Sequence, residues 1–183
     1  VRGGSDAAAV SAEDADADAP LIVVLCTGNA ARSVMAGAVL ADAPVRVVTA
    51  GTHVVEGQPM SRRTRAALDA VGVGVQPHRS RQLTAADVES AALVVALSSE
   101  HVAWMRRTHP GAADKTATLR RLCRDLGDGP APLADRVRSL ELADVDVEAW
   151  EDVEDPAGGE DEDYVACAIQ VRQLCLELAP RLG

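Results

Sequence analysis

Along most of the chain, short apolar runs alternate with stretches of helical periodicity. Residues 21–26 (LIVVLC) form an unbroken apolar, β-branched run of strand length, which predicts a strand buried on both faces. Residues 34–42 read as a helix and residues 45–50 as a second strand. Ser61 stands where it caps a helix whose apolar face carries Thr64, Ala67, Leu68 and Val71 and which ends at Gly72. Thr84-Ala85-Ala86-Asp87 has the form of a capping box opening a short helix. Residues 92–97 predict a third buried strand, followed by a helix through Trp104, and residues 116–119 a fourth strand. A helix is expected over 132–142, after the Gly/Pro-rich GDGPAP. The last helix is expected over 163–182, with Tyr164, Ala168, Val171, Cys175, Leu178 and Leu182 at spacings of four and three as its buried stripe. Strands alternating with helices give an α/β fold: one three-layer domain, a four-stranded parallel sheet with helices on both faces.

Composition narrows the function classes. Residues 1–20, rich in Ala and acid and closed by Pro20, read as a disordered tail ahead of a domain over 21–183. Of 183 residues, 48% are apolar and only Trp104, Trp150 and Tyr164 are aromatic, so the core is built from aliphatic side chains. So few aromatics leave no stacking platform for single-stranded nucleic acid. A net charge of −10 gives no bulk field for nucleic acid or an anionic membrane, so any affinity for an anion is local. The longest aliphatic run is far too short to span a membrane. Cys26, Cys123, Cys167 and Cys175 show no CxxC pair and no His at zinc spacing, which reads as a cytoplasmic chain with free thiols, without metal or cofactor.

The chemistry concentrates in CTGNAARS, residues 26–33. A cysteine ends a buried strand, a turn follows, and a helix starts near Ser33. Helix N-termini at the carboxyl ends of parallel strands present free N–H groups to anions. Gly28 and Asn29 tolerate left-handed backbone angles, letting successive amides turn inward as an anion nest. Arg32 adds a planar fork for two phosphate oxygens, and the whole stabilises a thiolate at Cys26. The bare Cys-x5-Arg spacing is weak, since Cys175 and Arg181 repeat it inside a helical stripe. Only the first instance combines strand, Gly-Asn turn and helix start.

CTGNAARS resembles the phosphate loop of the low-molecular-weight protein tyrosine phosphatases, Cys-x-Gly-Asn-x-Cys-Arg-Ser. Thr49-Ala50-Gly51-Thr52, the stretch Gly72 to Gln82 with His78 and Arg81, and Asp155-Pro156 resemble further family segments, with an insertion expected at about 123–150. The resemblance implies a phosphatase in which Cys26 attacks phosphorus and becomes phosphorylated. The amides of Thr27, Gly28, Asn29, Ala30, Ala31, Arg32 and Ser33, with the Arg32 side chain, hold the oxygens. Asp155 protonates the leaving group, while Asn29, Ser33, Thr49 and His78 brace the loop. The substrate would be a phosphorylated protein, phosphotyrosine first, or a small phosphomonoester.

Some positions depart from the pattern. Ala31 replaces the second loop cysteine, and Ala30, Ala157 and Gly158 replace bulky residues that flank a tyrosine ring; Ala30 also stands where arginine-directed relatives carry Thr. Trp150 is a candidate to lean over the pocket in their place. Arg62, Arg63, Arg65, Arg79 and Arg81 offer a basic rim or a solvated face. Two alternatives remain: a non-catalytic oxyanion-binding module, and a thiol-coupled arsenate reductase. The latter needs a cysteine relay, yet Cys167 and Cys175 stand about 12 Å apart along one helix, too far for a disulfide.

Overall fold

A computed structural model describes residues 18–183; the expected tail lies almost entirely outside the described residues. Four strands, β1 (Leu21–Cys26), β2 (Arg46–Gly51), β3 (Leu93–Ala96) and β4 (Thr116–Thr118), form one parallel sheet in the order β2-β1-β3-β4. β1 is central, and all six of its residues are buried. Alternation along it divides the core: Ile22, Val24 and Cys26 face one layer, Leu21, Val23 and Leu25 the other.

The first layer holds α1 (Arg32–Leu40), α2 (Arg62–Ala70), α5 (Leu119–Asp125), α6 (Leu133–Arg138) and the long α7 (Asp161–Leu178). The second holds α3 (Ala85–Ser90) and α4 (Ser99–Thr108), through Val88 and Met105. Ser61 caps α2 by accepting from the Thr64 N–H, and Gly72 ends it at φ 71°. Thr84 and Asp87 make the reciprocal capping box of α3.

The bounds of several elements shift. Residues 119–125 are helical, because Thr118 caps them and Leu119, Leu122 and Cys123 turn inward together. The 132–142 helix shortens to α6, and Glu141 beyond it adopts φ 51°. The last helix starts two residues earlier, at Asp161, with acidic residues filling its first turn where the helix dipole favours them; it ends at Leu178 before a single 3₁₀ turn containing Pro180.

Candidate active site

β1 delivers Cys26 to the carboxyl edge of the sheet, where residues 27–31 turn into α1. Asn29 organises this turn. Its φ of 50° lies in the left-handed region, which asparagine tolerates. Gly28 has no positive φ, contrary to the expectation. A Cβ there would meet no protein atom within 4 Å, and Gly28 borders the cleft above Cys26, so its missing side chain keeps that space open.

The buried Asn29 side chain donates from Nδ2 to Ser33 Oγ (2.9 Å) and accepts at Oδ1 from the Arg81 N–H (3.0 Å). Its carbonyl accepts from His78 Nε2 (2.7 Å) and from the Ser80 hydroxyl (2.8 Å). Since Ser33 Oγ already accepts from Asn29, its own proton is free for Cys26 Sγ, 3.0 Å away. Thr64 on α2 donates to the Ala30 carbonyl (3.0 Å). Gly51 lies so close to the loop that a Cβ would strike the Thr27 carbonyl oxygen. The Thr52 and His53 amides bond the carbonyls of Cys26 and Thr27, fastening the edge of β2 to the turn.

Arg32 spans from the loop to the segment before α7. Nη1 donates to the Val153 carbonyl (3.1 Å) and Nη2 to Asp155 Oδ2 (2.6 Å). The guanidinium is buried, whereas the Asp155 side chain is 43% exposed. Asp155 Oδ1 also accepts from the Ala157 N–H (3.0 Å), which sets the turn at Pro156. Cys26, Gly28, Arg32 and Asp155 border one cleft of about 120 Å³. A larger cavity of about 910 Å³ opens between α1, β2 and residues 72–78, but neither Cys26 nor Arg32 borders it. The smaller cleft, which brings the Cys26 thiol and the Arg32 charge together, is the candidate site.

Some sequence expectations fall elsewhere. Thr49 makes no hydrogen bond to the loop among the described residues; its methyl packs against Gly37 of α1, where a Cβ would collide with it. Trp150 does not border the cleft. Its ring lies 4.4 Å from the Arg124 guanidinium and 5.6 Å from that of Arg121, a cation–π stack that draws it away. Of the basic residues, Arg81 pairs with Asp87 (2.7 Å) and Arg63 with Asp161 (2.8 Å).

The structure adds groups that the sequence reading missed. Thr27 donates to Glu100 Oε1 (3.3 Å), so His101 Nε2 must be the donor to Thr27 Oγ1 (3.0 Å). His101 Nδ1 then accepts from Ser98 Oγ (2.9 Å). Burial, reinforced by the Arg32 charge, pushes His101 down to about 4, leaving the ring neutral. Ser80 beside His78 and Tyr164 at the cleft were also unassigned. The Ser80 signal was available, since it lies within the Gly72–Gln82 stretch. All four cysteines are free, and burial pushes Cys123 up to about 11 and Cys167 up to about 12. Among the described residues no cluster of three or more His, Cys, Asp or Glu is arranged to hold a metal ion, and no helix is long and apolar enough to cross a membrane.

Residues 21–135 match the family described as low molecular weight phosphotyrosine protein phosphatase. A protein-arginine-phosphatase of Geobacillus stearothermophilus is 31% identical over 164 residues, 88% of this chain and 95% of its own. A probable low molecular weight protein-tyrosine-phosphatase, EpsP of Ralstonia solanacearum, is 32% identical over 103 residues, 55% of this chain and 69% of its own. The solved YwlE arginine phosphatase from Geobacillus stearothermophilus superposes with a TM-score of 0.71 at 31% identity, covering 89% of this chain and 92% of that one. With residues 21–135 matching its model and a relative 31% identical over 95% of its own length, the chain belongs to the low molecular weight phosphotyrosine protein phosphatase family.

Proposed function

We propose that this phosphatase hydrolyses protein phosphotyrosine through a phosphocysteine intermediate, with no metal ion. The reading rests on the convergence of Cys26, Arg32 and Asp155 on one cleft, with the Ser33 hydroxyl directed at the sulfur. The Cys26 thiolate attacks phosphorus. The S–P bond forms as the P–O bond to the tyrosyl oxygen breaks, and Asp155 gives its proton to that oxygen. Asp155 then takes a proton from water, whose oxygen attacks phosphorus and expels the thiolate, releasing phosphate. The loop amides of Thr27 to Ser33 and the Arg32 fork hold the remaining phosphoryl oxygens, so positioning and charge compensation come from the protein. An incoming oxyanion competes with Asp155 for the guanidinium, freeing the acid to face the leaving group. Residues 21–183 act as one catalytic domain, with 1–20 as a tail and 123–150 as an insertion. Its four free thiols fit a cytoplasmic setting.

A second reading takes phosphoarginine as the substrate. The arginine phosphatase that is similar over 88% of this chain favours it; Ala30, which matches neither the Thr of arginine-directed relatives nor the bulky residue of tyrosine-directed ones, favours neither. Phosphate release from a phosphotyrosine and a phosphoarginine peptide, for wild type and Cys26→Ser, separates the two. Cys26-dependent release from phosphotyrosine is expected. Release from phosphoarginine alone moves the assignment, and binding of vanadate without release from either peptide leaves a non-catalytic oxyanion-binding module.

A further inference from the structure

Tyr164 sits in the first turn of α7 and borders the same cleft as Cys26, Arg32 and Asp155. Periodicity had put it in the buried stripe, but the ring is only half-buried. Among the described residues no other aromatic side chain borders this cleft; Ala30, Ala31 and Ala157 leave its rim low. The ring has a cationic neighbour. The Arg63 guanidinium lies 5.9 Å from its centroid, within cation–π range. Arg63 is itself fixed by the Gly159 carbonyl and by Asp161 (2.8 Å), so α2 and the start of α7 are tied together at this point.

We propose that Tyr164 is a specificity-determining residue: the aromatic wall against which the ring of an aryl phosphomonoester packs. The wall is supplied from the last helix, in place of side chains directly after Asp155-Pro156. This rests on the phosphatase reading above and names its substrate class as aryl rather than alkyl or guanidino phosphate. A flat ring entering between alanines gains contact with one aromatic face, while a non-aromatic substrate gains none. Positioned outside the reacting atoms, Tyr164 acts on ring binding and leaves the phosphoryl chemistry to the loop.

The test compares para-nitrophenyl phosphate with acetyl phosphate, a non-aromatic substrate with a good leaving group, in wild type, Tyr164→Phe and Tyr164→Leu. Inorganic phosphate serves as a competitive inhibitor that reports the integrity of the loop. Tyr164→Leu is expected to raise KM for the aryl substrate about 2- to 10-fold. Its kcat, its KM for acetyl phosphate and its inhibition by phosphate should move less than twofold, and Tyr164→Phe should retain the wild-type KM. An unchanged ratio of aryl to acetyl KM in Tyr164→Leu overturns the inference, as does an equal loss on both substrates with weakened phosphate inhibition. Either result leaves the phosphatase reading intact, whereas a wild type without Cys26-dependent turnover removes that reading itself.

Discussion

At Asn29 one side chain and one carbonyl join the turn after β1 to Ser33, His78, Ser80 and Arg81. The consequence at Cys26 is directional: Ser33 is left with its proton for the sulfur. A hydrogen bond to a thiolate is charge-assisted, worth about 1.5–3 kcal/mol. Ser33→Ala is therefore expected to lower kcat about 10- to 100-fold with a small change in KM, read by steady-state kinetics. A kcat within twofold of wild type would remove Ser33 from the account. Asp155→Asn cannot donate a proton, so it should cost about 10²- to 10⁴-fold on phosphotyrosine. The loss should shrink with para-nitrophenyl phosphate, whose phenolate leaves unaided. Cys26, Arg32 and the loop between them were legible because strand end, turn residues and helix start are contiguous. Tyr164 was not, because a stripe at spacings of three and four cannot distinguish a core neighbour from a cleft at one end of the same helix. Thr49 failed for the reverse reason: a polar residue at the right place packs by its methyl.

Two elements carry the turn after β1 and the proposed acid, Asp155. At the edge of β2, Gly51 touches the loop backbone, so Gly51→Ala forces the turn out of place. Loss of phosphate inhibition and a fall in kcat/KM of about 10²-fold or more are expected, since a displacement near 1 Å has such effects. The segment before Asp155 is anchored by Glu151, which is 0% exposed and bonded to Arg121 and to Thr118 (2.7 Å). Burial raises the Glu151 carboxyl, but hydrogen bonds from Arg121, Thr118 and the Glu148 N–H outweigh it and hold it below its usual range. Glu151→Gln removes the buried charge facing Arg121, which keeps Asp125 at 3.5 Å, and should destabilise the fold by about 1–3 kcal/mol in denaturant unfolding. None of this anchor was visible in the sequence. Its acid lies among many others in residues 150–163, and its basic partner lies on α5, a helix masked by the short strand before it.

Across the whole molecule, alternating runs were enough to give a parallel sheet with helices on both faces, since only that arrangement buries strands such as β1 from both sides. The side-chain ties that close the site span long sequence distances, as between Arg32 and Asp155 or Thr27 and His101, and periodicity carries no trace of them. His101, 1% exposed, gives the molecule a pH dependence. Its folded value of about 4 lies below the ordinary histidine value of 6.5, so the unfolded chain binds the extra proton between them. Stability is thus complete above pH 6.5 and falls as pH drops towards 4, by roughly 3 kcal/mol. Glu100, Arg32, Asp152 and Asp155 are the charges that surround it. Thermal unfolding between pH 7 and 4 should show this slope, and His101→Gln should flatten it; an unchanged slope would assign it to other groups.

The proposed chemistry stands on Cys26 as the nucleophile of a phosphatase that supplies its own charge compensation. Hydrolysis of para-nitrophenyl phosphate between pH 5 and 7, by wild type and Cys26→Ser side by side with chelator present, tests it most directly. Turnover by the wild type that disappears in Cys26→Ser and withstands the chelator is the expected result. Equal turnover by both proteins, turnover by neither, or turnover abolished by the chelator would contradict it.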